Sequence, residues 1–196
     1  MWLERQTGGG VQLIDLADAR DHLRIIETDF DAEIDRVRAA SSAVLDVDAE
    51  GFGGLGFPLV ASQFIAKAGC FSPEVLRLPF PRVTAVDAIK YVAPDGSVGT
   101  VDPATYMLAR DGRRVRVHLL AGNAWPALAD RPDAVRLTFT AGWPDVASVP
   151  EDIKAAARML IGHFFENRMA ATGEYIPHDI AIGIDDLTRR YRLWAS

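Results

Sequence analysis

Residues 135–140, VRLTFT, alternate apolar and polar side chains without a break, whereas from Glu151 onward apolar residues recur every third or fourth position. One chain thus carries both the strand period of about 2.0 and the helix period of about 3.6, and must fold as a mixed protein. The alternation places Val135, Leu137 and Phe139 on an inward sheet face, with Arg136, Thr138 and Thr140 outward. The longer period puts Ile153, Ala157, Leu160, Ile161 and Phe164 on one face of the strongest helix in the sequence. Ser148 and Glu151 have capping-box spacing, and Pro150 falls in the first turn, where its missing N–H costs nothing.

The same two periods divide the rest of the chain. Asp15 is predicted to cap a short helix carrying Leu16, Ala19 and Leu23. Asp29 is predicted to cap a second, with Phe30, Ile34, Val37, Ser41, Val44 and Leu45 on its apolar face and Asp31, Glu33, Asp35, Arg36 and Arg38 in solvent. The short ETD connection makes the two an antiparallel hairpin. VTAVDAIKYVA, PDG and SVGTVD read as one β-hairpin. TYMLA, RDGRR and VRVHLL read as another, with Val115, Val117 and Leu119 opposite Arg116 and His118. A final helix, IDDLTRRYRLW, has Asp185 and Asp186 early and arginines late, matching the helix dipole. The expected fold is α+β in one domain over 1–196, with a helical hairpin over 11–50, an inserted antiparallel β-rich region over 58–142, and carboxy-terminal helices over 148–196. The hairpin and the long helix form its helical core.

A chain of 196 residues, 49% hydrophobic and 24% charged, can bury a core without covalent staples. The lone Cys70 excludes an internal disulfide and a cysteine-cluster metal site, which fits a reducing compartment, and it is expected to be a buried structural thiol. The start, MWLERQTGGGVQL, lacks a basic region followed by an apolar run, and no segment reaches the roughly 18 apolar residues of a membrane span. The expectation is a soluble, unsecreted chain that engages no membrane. A net charge of -6 argues against tight binding of nucleic acid by phosphate neutralisation. His22, His118, His163 and His178 stand in different elements, none at metal-ligand spacing, and read as structural or surface residues. DFDAEID and DVDAE lack the ligand order of a calcium loop and fit a solvated helix face. Neither G-x-S-x-G nor G-x-x-x-x-G-K-[ST] occurs.

EGFGGLGFP, with Gly51, Gly53 and Gly56, does spell G-x-G-x-x-G. A dinucleotide site needs a buried strand before those glycines and a helix opening after them. Here an amphipathic helix precedes them, and Pro58 and the strand-like LVASQFIA follow. Glu74, at the spacing of a ribose-binding carboxylate, falls in the proline-punctuated FSPEVLRLPFP. The stretch reads as a helix-ending turn in which Gly51 or Gly53 takes the left-handed conformation. The alternative is a small α+β nucleotide- or metal-dependent enzyme or ligand-binding domain built on this turn and its carboxylates. At the other end, Tyr191, Arg192 and Trp194 are of the types enriched in interface hot spots, although a helix docked on its own domain shows the same pattern.

LADARDHLRI, DFDAEIDRVRAAS, LRLPFPRVTAVDAIKYVAPDG, DPATYML, NAWP, VRLTFTAGWPD, VPEDIKAAARMLIGHFFENR and LTRRYRLW follow one another in an order that spans nearly the whole chain. In that order they resemble the head-tail connector, or adaptor, proteins of long-tailed bacteriophages and gene transfer agents. The resemblance implies a structural protein of the particle with no active site, no cofactor and no metal. It implies a ring, usually of twelve subunits, beneath the portal protein at the head-tail junction, assembled in the host cytoplasm. Such a ring extends the channel through which DNA passes without specific binding, and it presents a platform to a tail or stopper protein. Carried onto this chain, Arg189, Arg190, Tyr191, Arg192 and Trp194 are the candidate portal contacts. The central sheet is an elaboration that shorter connectors lack.

Overall fold

In the computed structural model, which describes residues 1–72, 76–167 and 178–191, the alternating segment forms strand β8 (Val135–Ala141), with Val135, Leu137, Phe139 and Ala141 buried. A strand with one face in the core needs partners on both edges to satisfy its backbone. These are β2 (Ser62–Ala68), in the register Phe64↔Phe139, and β4 (Val83–Val92), in the register Val86↔Phe139, both antiparallel. Outside them lie β1 (Trp2–Thr7) and β5 (Val98–Thr100), giving the order β1-β2-β8-β4-β5. The β4–β5 pair is the first predicted hairpin. The second joins β6 (Tyr106–Asp111) to β7 (Arg114–Leu119), and with β3 (Arg77–Leu78) makes a separate sheet of order β3-β7-β6.

The amino-terminal residues, to which the sequence assigned no element, form β1. WLERQT shows weak alternation because its outer face is open, as its half-buried and exposed residues show. What holds it is pairing with β2 and the side chain of Arg5, which bonds Asp46 at 3.1 Å and lies 5.2 Å from the Phe64 ring centroid.

Four α-helices are seen among the described residues. The first, α1 (Leu16–Leu23), is capped as expected, with Asp15 accepting from the Asp18 amide at 2.7 Å. The second, α2 (Asp31–Leu45), is not capped by Asp29: Phe30 occupies that position without a side-chain bond, and the first turn is fixed instead by the Arg20–Asp31 ion pair from α1. Arg38, assigned to solvent by its charge, is 8% exposed. Its Nε donates to the Ile14 carbonyl at 2.8 Å and its terminal nitrogen pairs with Asp35, so its charge is met while its stem packs.

The long helix, α3 (Glu151–Glu166), buries Ile153, Ala157, Leu160, Ile161 and Phe164 as the periodicity requires. Its expected capping box does not form: Pro150 is the N-cap, and the Ser148 amide donates to Asp145. Arg158 reaches from α3 to Asp18 of α1 with two of its three nitrogens, at 2.6 and 3.1 Å, and holds that carboxyl below its ordinary range. Last comes α4 (His178–Thr188), packed on α3. Buried residues of the helices and both sheets form one continuous core. Cys70 is exposed rather than buried, because AGC leaves β2 for a connecting segment instead of continuing the strand.

Just ahead of β8, the Asp133 carboxylate sits between Arg136 and Arg131, whose hydrogen bonds lower its pKa from 3.8 to about 2. A depressed folded-state value contributes stability above the unfolded pKa, and this is lost as pH falls from about 3.8 through about 2. An NMR titration of the side-chain carboxyl should place its midpoint near 2 in the native chain. Arg136→Gln, removing the larger cause, should move that midpoint up toward the ordinary value.

Candidate functional site: an arginine-lined cleft

Arginines reach one place from four separate parts of the chain. Arg82 precedes β4, Arg110 lies near the end of β6, Arg113 sits in the turn to β7, and Arg190 follows α4. With Phe57, Pro81, Val83, Thr84, Pro144 and Tyr191 they line an open cleft of about 560 Å³, which among the described residues has no aspartate or glutamate in its lining. All four arginines are exposed. In a chain with 27 acidic and 21 basic residues, such a one-sign lining is a local concentration of positive potential.

The guanidinium groups are positioned, not loose. The Arg82 guanidinium carbon lies over Trp143, 4.1 Å from the ring centroid. Arg110 donates to the Val83 carbonyl at 2.8 Å, and Arg113 donates to the Arg190 carbonyl. Arg190 pairs with Asp152 of α3 and lies over the Tyr191 ring. Among the described residues, neither Arg82 nor Arg110 meets a carboxylate. Trp143 follows directly from β8, where Gly142 takes a φ of +114° so that the chain can pass against Val60.

Of the five candidate portal contacts, three can be placed. Tyr191 is half-buried: its ring meets Trp143 edge-on at 6.2 Å and its hydroxyl lies 3.3 Å from Asp152. Arg190 projects beside it, and Arg189 is exposed and paired with Asp186 at 3.2 Å. Arg192 and Trp194 lie outside the described residues, as does Glu74. Tyr191 is therefore docked on its own chain, with Arg189 and Arg190 exposed beside it and paired with carboxylates of the same chain. Arg82, Arg110, Arg113 and Trp143 were not singled out from the sequence. They are scattered over some sixty residues, and only the basic turn RDGRR hinted at them.

The glycine stretch makes no phosphate cradle. Asp48 Oδ1 accepts from the amides of Glu50 and Phe52, the Gly51 and Gly56 amides donate to Asp48 and Gly53 carbonyls, and the Leu55 amide donates to Leu45. Amides that a pyrophosphate would need are turned inward. Nor do the glycines end α2, which stops at Leu45 with Asp46 already extended. They serve the helix end in another way, by letting the loop fold back to satisfy the Leu45 carbonyl left open there. The histidines stay apart, with His22 and His118 exposed and His163 buried against Asn167. Among the described residues, no group of three metal-binding side chains occurs.

No family model matches the sequence, and no curated protein matches it. Similarity along the whole chain is found to solved structures of gene transfer agent (GTA) particles. A chain in the neck of an empty GTA particle with C6 symmetry is 24% identical, with a TM-score of 0.70, covering 100% of this chain and 97% of its own. A chain in the neck of a native GTA particle with C12 symmetry is 20% identical with a TM-score of 0.66 at the same coverage, and one in the native GTA virion is 23% identical with a TM-score of 0.65. The chain thus shares, from end to end, the fold of proteins found in the neck and virion of a gene transfer agent particle.

Proposed function

We propose that this chain is a structural head-tail connector, or adaptor, of a phage-like particle. The observation that carries this reading is the full-length likeness to neck chains. In it, α1, α2 and α3 form the helical core of a subunit, the sheets are an elaboration whose edge strand β1 comes from ahead of the helices, and copies of the chain close into a ring of twelve under the portal. The ring extends the DNA channel and supports a tail or stopper protein. The net charge of -6 suits a wall past which DNA slides, because concentrated positive charge would hold phosphates by counterion release. The chain's role in this reading is mechanical, with no catalytic step, and its place is the head-tail junction.

The carboxyl-terminal segment is the proposed portal contact, with Arg189, Arg190, Tyr191, Arg192 and Trp194 as its residues. Tyr191, seated on Trp143, would set the direction in which the segment leaves the subunit. Electron microscopy of the chain mixed with its portal protein is expected to show a ring on the portal axis. Deleting Tyr191 onward should abolish attachment while leaving the far-ultraviolet circular dichroism unchanged; undiminished attachment would remove this end from the interface. A nucleotide or divalent cation that raised the melting temperature specifically would favour the ligand-binding alternative instead.

A further inference from the structure

The glycine loop presents a second feature that the connector reading leaves without a role. Asp48, Ala49, Glu50, Phe52 and Gly53 are exposed, and Phe52, at 71%, is the most exposed aromatic residue described. The loop is held in shape by Asp48, whose carboxylate accepts two of its amides, and by glycines at φ values of +82° and +80° at Gly51 and Gly53. Among the described residues, neither Asp48 nor Glu50 meets a cation, and Phe52 meets no other ring. The loop is thus an ordered acidic knob tipped by an exposed ring.

We infer that the arginine cleft receives the Asp48–Phe52 loop of a second copy of this chain. The two surfaces are complementary in charge: among the described residues, Arg82 and Arg110 in the cleft meet no carboxylate, and Asp48 and Glu50 in the loop meet no cation. They are complementary in apolar character too, since Phe57, Pro81, Val83 and Pro144 give Phe52 a surface to lie on. A volume of about 560 Å³ accommodates a phenylalanine and a neighbouring carboxylate side chain. Both sides are pre-ordered, the loop by its own hydrogen bonds and the arginines by the Val83 and Arg190 carbonyls, so little entropy is lost on contact. Loop and cleft are built from different residues. Repeated in one direction the contact is heterologous, the kind that propagates head to tail and closes a ring at a suitable rotation, whereas returned between the same two copies it would close a two-fold dimer. The inference rests on the ring reading above for its biological setting, and on the two surfaces for its chemistry. Duplex DNA is the less fitting occupant, because the cleft is a local concavity on an acidic chain rather than an extended basic track.

The test is disulfide trapping in the full chain carrying Cys70→Ser, Ala49→Cys and Thr84→Cys, Ala49 being exposed in the loop and Thr84 in the cleft, so that the Phe52 ring is kept. Mild oxidation of the concentrated protein is expected to give a covalent ladder extending past the dimer, whereas either single-cysteine variant stops at the dimer. A double variant that stops there too overturns the head-to-tail contact. Sedimentation then reads the charges: Arg82→Glu with Arg110→Glu should weaken self-association roughly tenfold or more, and so should Glu50→Arg. Mixing those two proteins pairs the intact loop with the intact cleft and the reversed loop with the reversed cleft, both opposite in charge, so self-association should be regained; no regain would overturn the contact. Self-association that survives the double reversal, or trapping unchanged by it while binding of a duplex oligonucleotide is lost, would assign the cleft to another occupant. A ring on the portal without the ladder removes this contact alone; a ladder without any ring removes the connector reading and leaves the contact standing.

Discussion

Phe139→Ala is expected to lower the unfolding free energy by about 3–5 kcal/mol and the melting temperature by about 10 °C. Phe139 is 0% exposed on the central strand of the larger sheet. Its ring centroid lies 6.0 Å from both Phe64 and Phe80, which are themselves 4.9 Å apart. Truncation removes one of three mutually packed rings, and the space cannot close, because β8 is fixed in register by β2 on one side and β4 on the other. The lost transfer energy and the residual cavity then add. Val98→Ala, on edge strand β5 and 66% exposed, should stay within about 0.5 kcal/mol of the parent. Urea denaturation with an unchanged slope is the measurement, and a loss for Phe139→Ala of under about 1.5 kcal/mol would show that the cluster is not the centre of the core. The effect should also reach the cleft. Trp143, the platform for Arg82 and Tyr191, stands two residues beyond the strand, so hydrogen exchange at Gly142 and Trp143 should quicken in the variant.

Strand β8 and helix α3 were legible because burial on one face writes its period into the sequence, and both hairpins were legible because PDG and RDGRR mark their turns. Where the pattern is not about burial, the sequence misleads. Arg38 was placed in solvent by its charge, but its position in α2 faces Ile14, and a long aliphatic stem with a satisfied guanidinium is buried there at little cost. Asp29 and Ser148 had the chemistry of caps without the geometry, since Arg20 and Asp145 supply the local bonds instead. Strand β1 was missed because an edge strand with an open face needs no alternation; its hold comes from Arg5 and Asp46, forty-one positions apart. The cleft was missed for the same reason on a larger scale. Arg82, Arg110 and Arg190 share no period, and only the approach of β4, β6 and the end of α4 brings them together.

Gly54→Ala is expected to cost about 3–5 kcal/mol, while Gly53→Ala, one residue earlier, should cost about 1–2 kcal/mol. Both glycines have positive φ, +80° at Gly53 and +49° at Gly54, so both substitutions carry the strain of a left-handed L-residue. They differ in what a methyl group would meet. At Gly53 nothing lies within 4 Å, whereas at Gly54 the new carbon would stand 2.3 Å from the Asp46 carbonyl oxygen and 2.4 Å from that of Leu45. Those are backbone atoms at the end of α2, which cannot swing aside as a side-chain tip can. To admit the methyl group the loop must lift, and lifting it breaks the Leu55 to Leu45 hydrogen bond and leaves a helix-end carbonyl open. Equilibrium denaturation of the two variants side by side reads the difference, and equal costs would mean that the loop does not rest on the helix end. The displacement also moves the Asp48–Phe52 knob relative to the rest of the subunit. Gly54→Ala should therefore weaken head-to-tail trapping through the loop at temperatures where the variant is still folded, and Gly53→Ala should weaken it far less. The motif glycines Gly51, Gly53 and Gly56 are accounted for by positive φ in the loop, and the close approach to the helix end falls on Gly54, a position the nucleotide-binding motif leaves unspecified.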